Sequence, residues 1–262
     1  MKNRLVRRDE LASDDADAMF LLLDKYFQGA KREVFEEDLI NKNWIILLYG
    51  EDDNQLQGFS TLLLYNTEFE GDKISVVYSG DTIVDPSAWT SSALARSWVA
   101  AVNELQTRYS QGKLYWLLIS AGYRTYRFLP VFGRDFYPRY DMETPEKTSR
   151  LMHFLAKSRF GKNYDKSLGI VRFPHPHILR EGLHGIPSER LHDPHINFFQ
   201  QRNPGHIYGD ELVCLTEVSE ENLTAAGKRL WFGSGKKGHI SELSQKKVIP
   251  IANMIHKLES SI

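Results

Sequence analysis

Apolar and polar positions alternate, cluster and break along this chain in a way that predicts most of its elements. Met19, Phe20, Leu22, Leu23 and Phe27 recur at helical spacing behind Ser13, Asp14 and Asp15, which suit a cap and first turn. A second, shorter helix is predicted over 31–41, with Val34, Phe35, Leu39 and Ile40 inward. The runs 44–49, 58–65 and 74–84 read as strands, separated by polar turns at 51–55 and 66–72. Asp85-Pro86 ends the third run, because proline brings no N–H to a ladder. After a polar turn at 89–92, Leu94, Trp98, Ala101, Val102 and Leu105 mark one face of a helix from Ala93. A strand at 114–119 and an aromatic-rich, proline-broken helical stretch at 120–141 follow.

Beyond that point the signals thin out. Thr144-Pro145 opens a helix that Gly161 closes, and Asp193-Pro194 opens another that Asn203-Pro204-Gly205 stops. The stretch 162–191 is loop-rich, 211–218 is a strand, and Ser219 caps a helix running to Leu230. A last amphipathic helix is expected over 249–258. Hairpin strands followed by a strand–helix–strand step imply an α+β domain, a mixed and mostly antiparallel sheet flanked by helices. The expected organisation is a single domain over 1–262, with a loop-rich insertion at about 141–193 before the last strand and a basic tail at about 233–262.

Composition narrows the function classes. The 33 basic and 34 acidic residues nearly cancel, so charge does not indicate nucleic acid. One cysteine, Cys214, excludes an internal disulfide framework and fits a reducing, cytoplasmic setting. No run approaches the ~18 apolar residues of a membrane span. Six histidines fall between 175 and 206, but none shows a zinc-site spacing, and no metal is expected. His195 is kept as a substrate-lining base, since inserted loops often complete a site. Lys228, Arg229, Lys236, Lys237, Lys246 and Lys247 would offer a dock for an acidic partner, such as a carrier protein or leader peptide, or simply a solvated surface.

The unit strand–Val84-Asp85-Pro86–turn–helix resembles the GNAT N-acyltransferase superfamily over about residues 1–140, and again near 193–218. In that family the loop that opens the central helix holds the pyrophosphate and pantetheine of acyl-CoA. The resemblance therefore implies donor contacts from Ile83, Val84, Trp89, Ser91, Ser92, Ala93, Leu94 and Ser120. The loop departs from the family pattern: Trp89 replaces a basic or amide residue and Ser92 a glycine. Losing the cation removes a charge-assisted bond of roughly 1.5–3 kcal/mol, so acyl-phosphopantetheine on a carrier protein stands beside acyl-CoA as donor. The resemblance also implies a base near Asp81, expected to have a carboxyl pKa raised by burial, and a thiol-protonating tyrosine at Tyr123 or Tyr126. The expected activity is acyl transfer, medium or long chain, to an amine of a small molecule or peptide. A non-catalytic thioester- or partner-binding module and a metal-dependent hydrolase are the alternatives.

Overall fold

The computed structural model describes residues 1–89, 91–183 and 185–233. Along the chain run β1 (Lys2–Arg7), α1 (Ser13–Tyr26), β2 (Phe27–Gln28), α2 (Arg32–Ile40), β3 (Trp44–Tyr49), β4 (Leu56–Phe69) and β5 (Asp72–Val84). Then come α3 (Ala93–Tyr109), β6 (Lys113–Ser120), α4 (Tyr123–Tyr126), α5 (Phe128–Phe132), β7 (Phe136–Tyr137) and α6 (Glu146–Phe160). The short strands β8 (Tyr164–Asp165), β9 (Ile170–Val171) and β10 (Ile178–Leu179) lead to α7 (Pro194–Arg202), β11 (Glu211–Glu217) and α8 (Ala225–Gly233).

The sheet order is β1-β3-β4-β5-β6-β11-β9-β8, with β7 added on β11, and β10 pairs β2 apart from it. Every pairing is antiparallel except β5–β6, whose parallel course α3 makes possible by crossing over. The mostly antiparallel sheet and the β5–β6 neighbourhood are as the sequence implies. The hairpin between β4 and β5 is tighter than expected: both strands run on to a two-residue turn, Glu70-Gly71, with φ of 51° and 85°.

Both faces are covered, which is why β3 is apolar at all six positions and buried throughout. One face carries α3, with α4, α5 and α7 beside it; Val102, Leu105, Tyr126 and Phe199 pack there on Trp44, Leu62, Trp116 and Cys214. On the other face α1 and α2 cover β3 and β4 through Met19, Leu23 and Phe35. There α6 covers β5, β6 and β11 through Leu151, Leu155 and Phe160.

Three local expectations are corrected. Ala12, not Ser13, is the cap of α1, and Ser13 is its first residue. Ser219 does not start the last described helix; Thr224 does, its hydroxyl accepting from the Gly227 N–H at 3.0 Å. The stretch 162–191 is more than loop, since β8 and β9 extend the sheet beyond β11 and β10 ties the insertion to the end of α1. The lysines of the tail from Lys236 on, and the helix expected at 249–258, lie outside the described residues.

Candidate active site

The site begins where β5 and β6 part. Their ladder runs from Ile74↔Lys113 to Ser79↔Leu118 and stops, while β5 continues to Val84 paired to β4 alone. A bulge sits at that point: Ser60 faces Thr82 and Leu62 faces Ser79, so Gly80 and Asp81 stand together opposite Thr61. An extra residue bends the bulged strand, and here it turns β5 away from β6.

On the α3 face the gap is an apolar cleft, lined by Leu94, Trp98, Trp116, Leu118, Phe128 and Phe132. The Trp98 and Trp116 indoles lie 4.2 Å apart and both donate to Ser79 Oγ, at 3.0 Å each. The loop leading to α3 is anchored by Asp85, which accepts from Ser87 N–H at 3.0 Å, from Lys25 Nζ at 3.2 Å and from the Tyr26 hydroxyl. Burial alone would raise the Asp85 carboxyl; these bonds outweigh it and hold the group well below its usual range. Trp89 folds back to donate to the Val84 carbonyl at 2.8 Å, and the exposed Arg124 guanidinium stacks over its ring at 4.1 Å. Arg96 bonds Ser92 Oγ, and Ser91 Oγ accepts from Ala93 N–H at 3.1 Å. Two cations thus flank this loop, Arg124 from α4 and Arg96 from the first turn of α3.

The other face of the gap carries charge. Asp81, in the bulge, lies 3.4 Å from His177 Nδ1. His177 comes from the insertion, brought over by the β10–β2 pairing beside the Phe27 ring. Below them Lys42, with no side-chain exposure, pairs with Asp38 and sits over the Tyr78 ring. Glu211 opens β11 one position before Leu212, which faces Ser120 at the end of β6, and it shares the field of Asp81, His177, Asp38 and Lys42. Burial would raise the Asp81 carboxyl, but the His177 bond and the charges of His177 and Lys42 outweigh it and hold it below the usual value. This corrects the raised value expected from desolvation alone. Burial opposes the His177 charge, and Asp81 overcomes that to raise it. Glu211 goes the other way: burial first, then the Asp81 charge, push it up to about 8. Asp81 and His177 thus each favour the other's charged form, beside a Glu211 whose proton affinity is raised.

No family model matches the chain, and no curated protein does. Among solved structures it overlaps a probable N-acyltransferase from Enterococcus faecalis at 15% identity and TM-score 0.37, over 52% of this chain and 33% of that one. A GNAT family N-acetyltransferase from Escherichia coli, in complex with CoA, overlaps at 17% identity and TM-score 0.35, over 50% and 69% of the two chains. An acetyltransferase from Trypanosoma brucei overlaps at 13% identity and TM-score 0.32, over 59% and 91%. The chain thus spans about a third of the length of the Enterococcus protein. Overlaps this low carry no argument about chemistry, which rests on the geometry above.

The remaining sequence candidates fall in several places. Val84 and Leu94 pack on the α3 face, whereas the Ile83 side chain faces the α1 and α2 core. Ser120 is closed on itself, its hydroxyl donating to the Gly122 carbonyl at 2.7 Å. Tyr123 is buried under Arg124. Tyr126 has no exposure; its hydroxyl donates to the Pro138 carbonyl at 2.9 Å, and burial raises its pKa far above the ordinary range. The cleft is lined from those helices by Thr125, Phe128 and Phe132 instead. His195 lies against Phe136 and Tyr140, in the field of Asp193 and Asp141 rather than Asp81, and burial lowers its pKa. Among the described residues no group of three or more His, Cys, Asp or Glu could hold a metal ion. Sequence reasoning missed Glu211, Lys42 and His177 as one cluster. A lone Glu at the start of a strand is an ordinary sight, and only the sheet order brings it near Asp81.

Proposed function

We propose that this chain is a divergent GNAT-superfamily N-acyltransferase, moving an acyl group from a pantetheine thioester to an amine by direct attack. One observation carries the reading: a single parallel strand pair split by a bulge, with an apolar cleft on one face of the split and a proton-exchanging cluster on the other. The donor enters on the α3 face. Past Ser79 the β5 edge has no β6 partner, so its backbone groups can pair with the pantetheine amides as an added strand would. The phosphates lie at the N-terminus of α3, with Arg96 and Arg124 as cations. The acyl chain meets Trp98, Trp116 and Phe128, which suit a chain longer than acetyl.

The acceptor amine comes from the Asp81 face. Its lone pair attacks the thioester carbonyl carbon, the C–N bond forms, the C–S bond breaks, and the thiolate leaves with the pantetheine arm. Of the two protons the ammonium form must lose, one passes to Glu211 before attack, and the second, released as the amide forms, goes to the departing thiolate. The anionic charge of Asp81 raises the proton affinity of Glu211, and His177 keeps Asp81 ionised. This assigns the base role expected at Asp81 to its neighbour, with Asp81 as positioning residue. Acceptors are amines of small molecules or peptides, and the donor is acyl-CoA or an acyl carrier protein.

Thiol release from a panel of acyl-CoA donors, with and without amines, tests the reading. Amine-dependent release is expected, with donor binding intact and turnover lost in Glu211→Gln. Donor binding without release by any amine would favour a non-catalytic module; no binding of any thioester would sink both.

A further inference from the structure

The donor cleft does not end at the two tryptophans. Trp98, Trp116 and Phe132 also wall a second space, beneath α8, whose other sides are Val99, Leu129, Val218, Leu223 and Trp231. We infer that the space beneath α8 is the seat of the distal end of the donor's acyl chain, reached from the donor cleft past Trp98, Trp116 and Phe132. This rests on the donor-site reading above and specifies where a chain longer than acetyl goes.

The polar groups at this second space already have partners, so nothing there calls for a polar occupant. Asn222 Nδ2 donates to the Asp135 carbonyl at 3.0 Å and the Glu217 carbonyl at 2.7 Å, and its Oδ1 accepts from Asp135 N–H at 2.8 Å. Thr216 Oγ1 donates to the Asp135 carbonyl at 2.7 Å, and the Glu217 carboxylate turns out to Lys113 at 2.8 Å. The roof is fixed in place. Thr224 N–H bonds the Phe132 carbonyl at 2.9 Å, and Gly227 sits so close that a Cβ there would come within 2.7 Å of the same oxygen. The partition is made of side chains rather than backbone. Trp98 is half-buried, tied through its indole N–H to Ser79 Oγ at 3.0 Å and packed on the Trp116 ring.

Calorimetric binding of saturated acyl-CoA donors from acetyl to dodecanoyl, on the full chain, tests this. Affinity of the wild type should rise about four-fold per methylene, the worth of ~0.8 kcal/mol, until the chamber is full. Leu223→Phe, which fills the chamber, should end the rise at a shorter chain. Trp231→Ala, which empties one wall at the half-buried face of α8, should carry it to a longer one and serves if the first variant folds poorly. A flat series in the wild type, or the same end point in every variant, overturns the chamber while the donor site stands. No binding of any donor, acetyl included, overturns both.

Discussion

In the proposed reaction Glu211 is the base, and its neighbours set its proton affinity. A lysine-like amine has a pKa of ~10.4 and reaches the site mostly protonated, so a base with a value near 8 is well matched to it. Glu211→Gln keeps the shape and removes the basicity; turnover should fall roughly 10²–10⁴-fold with donor affinity nearly unchanged, as single-turnover kinetics and calorimetry would show. The ascending limb of the wild-type pH–rate profile should lie near pH 8. Asp81→Asn removes the largest of the four charges acting on Glu211, an anion that raises it, so the limb should move to lower pH. A limb that stays put in Asp81→Asn would place the base elsewhere.

At the scale of elements, the β5 bulge and the start of α3 do most of the positioning. Gly80 is required there by close approach, not by backbone angle: a Cβ would lie 2.3 Å from Lys42 Cε and 2.6 Å from Thr61 Oγ1. Gly80→Ala therefore pushes on a fully buried ammonium held by Asp38. It should cost about 1–3 kcal/mol in urea denaturation and disturb the pH profile together with stability. A variant as stable as wild type would show that Lys42 can move aside freely. The N-terminus of α3 predicts a different outcome. Arg124 is exposed and stacks on the rings of Trp89 and Tyr123 from the solvent side. Arg124→Ala should lower the melting temperature only slightly, through the uncovered Tyr123 ring, and weaken acyl-CoA binding about ten-fold, the loss of a charge-assisted contact. Equal affinity in the variant would move the phosphates away from this corner.

For the whole molecule the same cluster sets how stability depends on pH. Glu211 titrates about 8 in the folded chain against 4.5 as its ordinary value, so the native state binds more protons than the unfolded one between those limits. Its contribution is fully present below about pH 4.5 and is lost as pH rises through 8, with a slope of at most about 1.4 kcal/mol per pH unit. His177, also raised, adds a loss in the same direction above its usual 6.5. Asp81 and Asp85, both lowered, act elsewhere: their stabilisation is present above 3.8 and is lost as pH falls further. Urea midpoints of wild type should therefore decline from pH 5 to 8, and Glu211→Gln should flatten that decline. A parallel decline in both proteins would show that Glu211 keeps its ordinary proton affinity in the fold.

The order of elements through residue 120 was legible in the sequence because it is local. Hydrophobic period 2 against 3.6, Asp85-Pro86, and the capped helix starts are set by neighbours in the chain, and they suffice to place β5, α3 and β6 side by side. Asp81 was legible too, as an acid near the end of the central strand. The site as a whole was not. Glu211 lies 130 positions after Asp81, and His177 reaches it only because two-residue strands pair far from their neighbours in sequence. Whether Asp81 gains or loses proton affinity depends on which charges share its burial, and no periodicity records that. Tyr126 shows the converse: its sequence position suits a role in the cleft, but the turn of α4 aims it into the core against Phe136 and Phe199. Local pattern decided the elements; only tertiary packing decided which side chains meet, how far water is removed from them, and so which of them can carry a proton.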